Sequence, residues 1–142
     1  MIIRPMRKAD YAAVAELANL CRPNRITPSI EWFLVDHHAL VMMIDGEAVG
    51  YSVWGMTADW HAYGRDHGIR PDWRHKGLGG LLHEARLKAA RDAGASHFVG
   101  ITWDANGPMK RILGLKGVRM THVPHHFADE GDGWTYVCEL KD

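Results

Sequence analysis

The sequence predicts an α+β domain, on three observations. Apolar residues recur at helical spacing in some segments and alternate in others, and three extended segments run together before the next helix. Asp45-Gly46 separates the apolar runs Leu40–Ile44 and Glu47–Gly55, a placement that marks a tight hairpin. The stretch Ile69-Arg70-Pro71-Asp72-Trp73-Arg74-His75-Lys76-Gly77-Leu78-Gly79-Gly80 follows an expected strand and opens an expected helix.

The elements follow in order. Met1–Arg4 reads as a short strand ended by Pro5, and Asp10 as the N-cap of a helix with Val14, Leu17, Ala18 and Cys21 at i, i+3, i+4 and i+7. Pro23 stops that helix, and Ser29 caps a short one through Trp32, Phe33 and Val35, one wall of a substrate cleft. In the second arm of the hairpin Val49, Tyr51 and Val53 alternate with Gly50, Ser52 and Trp54, giving two distinct faces. A further strand falls between Trp60 and Arg70. The helix from Leu78 to Gly94 carries Leu78, Leu81, Leu82, Ala85 and Ala89 on its apolar face, with Glu84, Arg86, Lys88 and Arg91 elsewhere and Gly94 as C-cap. His97–Trp103 alternates again, Asn106 begins a short helix through Met109, Ile112 and Leu113, and 117–127 with 133–140 closes the chain as a hairpin. Its acidic tip is Asp129-Glu130-Gly131-Asp132.

Composition narrows the class of function. A chain of 142 residues, 46% hydrophobic and 24% charged, suits one soluble domain with a proper core. Lys+Arg and Asp+Glu both number 17, so no global field favours nucleic acid or membrane. Met1 to Asp10 has Arg4, Arg7 and Lys8 with no apolar run behind them, which reads as neither signal peptide nor anchor. Cys21 and Cys138 make no disulfide framework, and the expected location is the cytoplasm.

The glycine-rich stretch carries the chemistry. Glycines at 77, 79 and 80 let the backbone curl tightly at a helix start, where free N–H groups and the helix dipole attract anions. Arg74 and Lys76 add full charge beside them, and the set suits a diphosphate. The dinucleotide pattern G-x-G-x-x-G fails, because Leu82 stands where its third glycine belongs, and the P-loop pattern is absent.

Arg74-x-x-Gly77-x-Gly79, after a strand ending Ile69-Arg70-Pro71, resembles the acetyl-CoA pyrophosphate loop of the GNAT acetyltransferase superfamily. Asn106, Leu113, Lys116, Gly117 and Val118 parallel a second family segment, which has Asn, Tyr, a basic residue and Gly-Phe at those offsets. The resemblance implies a GNAT-like fold, a mixed and mostly antiparallel sheet of about six to seven strands flanked by helices. It also implies direct acetyl transfer from acetyl-CoA, as co-substrate and without a metal, to a small-molecule or peptide amine, by a monomer or homodimer. The cofactor-binding residues it implies are Ile69, Arg70, Arg74, His75, Lys76, Gly77, Leu78, Gly79, Gly80, Asn106 and Leu113. Backbone N–H groups near Ile69 and Arg70 are expected to serve the oxyanion and the pantetheine arm.

Leu113 stands where the family has a tyrosine that protonates the thiolate, and it cannot donate a proton. The candidates for acid and base are therefore His61, Tyr63 and His67, which alternate on the strand before the loop and are expected to share a face unless a bulge changes the parity. His37-His38 and His122/His125/His126 lack a carboxylate or thiol at ligand spacing, so no metal site is expected. Trp54, Trp60 and Trp73 read first as core or rim packing, with lining of the acceptor or cofactor cleft as the alternative. The rival reading is a non-catalytic acyl-CoA-binding module, with Leu113 as its chief support.

Overall fold

The computed structural model describes residues 1–21, 37–103, 107–115, 118–124 and 132–140. The expected short helix at 29–35, Asn106, Lys116, Gly117, His125, His126 and the tip at 129–131 lie outside them. Ten elements follow in order: β1 (Ile2–Pro5), α1 (Tyr11–Cys21), β2 (His38–Ile44), β3 (Glu47–Ala58), β4 (His61–Ile69), α2 (Leu78–Asp92), β5 (His97–Trp103), α3 (Gly107–Leu115), β6 (Met120–Val123) and β7 (Gly133–Glu139). The strands form one seven-stranded sheet in the order β1-β2-β3-β4-β5-β7-β6, antiparallel at every junction except the parallel β4/β5 pair. The α+β expectation holds.

The Asp45-Gly46 hairpin forms as expected, with positive φ at both residues (50° and 80°) and the arms joined by a two-residue turn. Asp10 acts differently from a simple N-cap. Its carboxylate turns back to accept from Arg4 (2.7 and 3.0 Å) and from the Arg7 N–H (2.7 Å), pinning β1 to the turn before α1. Val14, Leu17 and Ala18 of α1 bury against Val41, Tyr51 and Val53 on one face of the sheet. On the other face α2 and α3 cover Met42, Val49, Ile69 and Phe98.

Of three register shifts in the sheet, two change the facing of residues near the site, the third falling between Met56 and Ala58 of β3. One in β3 beside Met42/Met43 turns Val49 away from Tyr51 and Val53, so Val49 packs under Leu82 instead. The other lies in β4: Val53 pairs with Asp66 and Trp54 with Gly64, leaving Arg65 as the extra residue.

The buried face of α2 also departs from the sequence pattern. Leu82, His83, Arg86 and Ala90 are buried, while Leu81 is 48% exposed. The charged Arg86 belongs to the core face because glycines at 64 and 100 leave room beneath the helix for its long side chain and for Tyr136.

Candidate active site

The β4/β5 ladder ends after three pairs, His61↔His97, Ala62↔Phe98 and Tyr63↔Val99. Both strands continue well beyond it, to Ile69 and Trp103, so they part into a V. Gly64 and Gly100 stand at the closed end, and the start of α2 stands at the wide end. The edges left open inside the V carry backbone groups with no strand partner, a ready template for an extended ligand.

At the wide end Gly77 takes the left-handed conformation (φ 79°) as N-cap of α2, a shape that glycine adopts without strain. No side chain caps this helix and no acidic residue occupies its first turn. The first return bond runs from the Leu81 N–H to the Gly77 carbonyl at 3.2 Å, leaving the N–H groups of Leu78, Gly79 and Gly80 for an anion. Arg74, His75, Lys76 and Gly77 are exposed around this spot, and the Arg74 Nε donates to the Ile69 carbonyl at 2.9 Å, tying the loop to the strand end. A Cβ built on Gly77 or Gly80 would meet no protein atom within 4 Å, so the cradle opens to solvent. Uncapped donors beside two cations fit a diphosphate, which is the demand that CoA makes.

Arg70 does not serve as expected. Its N–H donates to the Val49 carbonyl at 2.8 Å, and its guanidinium pairs with Glu47 (3.3 Å) and Asp72 (2.9 Å). Alternation along the strand then turns the Ile69 N–H, rather than that of Arg70, towards the V.

The three catalytic candidates divide. His61 and Tyr63 lie on the α1 side of the sheet, and the Arg65 bulge places His67 on the α2 side, so the shared face is not formed. Tyr63 leans over Gly55 of β3, where a Cβ would come within 2.8 Å of its ring, and its hydroxyl meets His37 Nε2 at 2.9 Å. It points away from the V. His61 stacks on Trp60 (ring centroids 5.1 Å apart) at the far end of β4. His67 is held at both nitrogens, Nδ1 by the Ser52 hydroxyl (3.1 Å) and Nε2 by the Gly79 carbonyl (3.3 Å). Burial, then the charge on Arg86, then His83 hold its pKa well below the ordinary imidazole range. Half-buried and held in its neutral form, it bridges strand and cradle.

Leu113 is fully buried with Trp54, Ala62, Phe98, Met109 and Tyr136. Trp54 is likewise core, Trp73 packs beside Ile69 and Leu82, and Trp60 is exposed. His122 does find a carboxylate, Asp132 at 2.8 Å across the β6/β7 hairpin, and no metal-binding group of His, Cys, Asp or Glu occurs among the described residues.

Two further groups at this site leave no mark in the sequence pattern. Asp66, beside the bulge and 5% exposed, accepts from the Tyr51 hydroxyl at 3.1 Å and from the His67 N–H at 2.9 Å. Beneath the closed end, Arg86 Nη2 contacts His83 Nδ1 at 2.9 Å and donates to the Tyr136 hydroxyl at 3.2 Å.

The acetyltransferase (GNAT) family model matches residues 11–112. No curated protein matches the chain in sequence. Among solved structures, Ard1 from Thermoplasma volcanium superposes with a TM-score of 0.87 at 18% identity, covering 99% of this chain and 98% of that one. The ribosomal-protein-S18-alanine N-acetyltransferase from Escherichia coli gives 0.85 at 12% identity, with coverage of 99% and 94%. A GNAT family acetyltransferase from Elizabethkingia anophelis with acetyl-CoA bound gives 0.83 at 16% identity, with coverage of 98% and 97%. With its parted strands, its uncapped glycine-rich helix start and a family match over most of its length, the chain belongs to the acetyltransferase (GNAT) family.

Proposed function

We propose that this protein transfers the acetyl group of acetyl-CoA directly to an amine while both substrates are bound. The carrying observation is the V itself, with a diphosphate cradle at its wide end and a closed end lined by protein. Leu78, Gly79 and Gly80 hold the phosphates by their N–H groups, Arg74 and Lys76 neutralise them, and the Ile69 backbone bonds the pantetheine arm. The thioester then lies towards Gly64 and Gly100. Neither cysteine suits a covalent intermediate. Cys138 is buried in the core, and the Cys21 thiol donates to the Ile69 carbonyl at 3.4 Å, at the opposite end of the V. Direct attack by the amine, with the Asp66 carboxylate beside the bulge to attract it, is the simpler route.

Some relatives by fold are named for ribosomal-protein alanine acetylation, so peptides with free N-termini belong in the first acceptor screen beside small amines. The test is calorimetric titration with acetyl-CoA followed by mass spectrometry of that amine panel. Gly79→Glu, whose Cβ would sit 3.5 Å from Ile112 and 3.7 Å from Ile69 and which adds a negative charge at the helix start, is expected to abolish acetyl-CoA binding in a protein that stays folded. Unchanged affinity in folded Gly79→Glu would refute the cradle.

A second reading has one observation in its favour: the fully buried Leu113 supplies no proton at the position where the family resemblance implies a tyrosine. A non-catalytic acyl-CoA module would bind acetyl-CoA tightly and acetylate nothing in the panel.

A further inference from the structure

Arg86 poses a physical problem that the cradle and the V do not solve. A guanidinium only 2% exposed is costly to bury unless it is paired, and among the described residues no carboxylate pairs with it. Its neighbours are the His83 ring, the Phe98 face 4.7 Å from Cζ, and the Tyr136 hydroxyl. Its Nε is buried with no hydrogen-bond partner, as is the hydroxyl of Thr102, two residues beyond Gly100 on β5.

The placement of the pair explains why it is there. Gly64 and Gly100 are the first positions at which β4 and β5 no longer bond. A Cβ on Gly64 would lie 3.2 Å from Arg86 Nη1. A Cβ on Gly100 would overlap the Tyr136 hydroxyl, because Tyr136 on β7 reaches across β5 at that point. A phenol and a guanidinium therefore form the floor of the closed end, and two glycines make the room.

We propose that Tyr136 is the acid that protonates the departing CoA thiolate, with Arg86 as the residue that positions and stabilises its oxygen. This rests on the acetyl-transfer reading. Phosphates held at the wide end and an arm laid along β4 from Ile69 to Gly64, five residues or roughly 17 Å of strand, bring the sulfur to this floor. As the amine nitrogen bonds to the thioester carbonyl carbon, the C–S bond breaks and its electron pair goes to sulfur. The sulfur takes the Tyr136 proton, and the phenolate left behind accepts from Arg86 Nη2. The surplus proton on nitrogen goes to solvent, which returns one to the phenol.

The titratable groups facing the phenol fit this role. Burial raises its pKa, against the lowering pull of Arg86, with Cys138 raising it further, so the phenol is protonated at neutral pH. It thus supplies from β7 what Leu113 cannot supply from α3.

The test needs no acceptor. Free CoA is bound to wild type, Tyr136→Phe and Arg86→Met, and the pKa of its thiol is read from the ultraviolet absorbance of the thiolate. A donor aimed at sulfur stabilises the thiolate, so the bound thiol is expected to titrate at lower pH in wild type than in either variant, at similar CoA affinity. With an active amine, kcat of Tyr136→Phe should fall by about 10²-fold with little change in the KM for acetyl-CoA. An unchanged thiol pKa in folded Tyr136→Phe that still binds CoA overturns the proposal and leaves the acetyl-transfer reading standing. A wild type that binds no CoA overturns both.

Discussion

His67 shows what a single side chain costs when it is used as a strut. Its ring joins Ser52 to the Gly79 carbonyl, and burial with nearby positive charge keeps it neutral. A base whose folded pKa is depressed costs stability only where the unfolded chain takes up the proton first. Stability attributable to His67 is therefore intact above about pH 6.5 and is lost as pH falls below it. Urea midpoints between pH 7.5 and 5 should decline for wild type and decline less for His67→Gln, whose amide can keep both bonds. Equal slopes would remove His67 from the account. Arg86 teaches the complementary lesson. Its charge reads from sequence as an outward-facing position on an amphipathic helix, and only the two glycines beneath it show that it points inward.

At the scale of elements, local chemistry made some features legible and hid others. Asp45-Gly46 announced its hairpin because its turn needs two positive φ values, which those residue types tolerate. Gly77, with its own positive φ as N-cap of α2, announced the helix start for the same kind of reason. The bulges at Val49 and Arg65 left no such mark, and each reversed the facing of residues that strict alternation had placed. So His61, Tyr63 and His67 alternate in sequence but not in space. Tyr136 was hidden too, since its reach across Gly100 depends on a β5/β7 register that no local pattern encodes. The entry to α1 was half legible: Asp10 reads from sequence as an N-cap facing forward, but its partners lie behind it. Arg4 holds its carboxyl down at about 2, below the usual carboxylate range. The pair contributes above about pH 4 and is lost as pH falls from there towards 2. Asp10→Asn should cost up to about 1 kcal/mol at pH 7 in chemical denaturation and nothing near pH 2. A loss that is the same at both pH values would mean that shape rather than charge matters at this corner.

Over the whole molecule the order of elements carried the fold class, because hairpins and the α2 crossover leave few ways to arrange seven strands. What order could not convey is how thinly the sheet is joined in the middle. Strands β1 to β4 form one antiparallel block, β5 to β7 form another, and three residue pairs bridge them. Mechanically this is a hinge between two stiff plates, with α2 and α3 lying across its back. An extended arm bonded to both open edges would act as additional rungs, and the cofactor would then be a structural member of the sheet as well as a substrate. Amide hydrogen exchange should reveal it. On adding acetyl-CoA, protection is expected to rise along Gly64–Ile69 and Gly100–Thr102 together, while the β2/β3 hairpin stays unchanged. Protection confined to the cradle would mean that the plates are braced by the helices alone. If the rungs are real, each release of CoA loosens the sheet that must grip the next molecule, and turnover and rigidity become one property of the same seam.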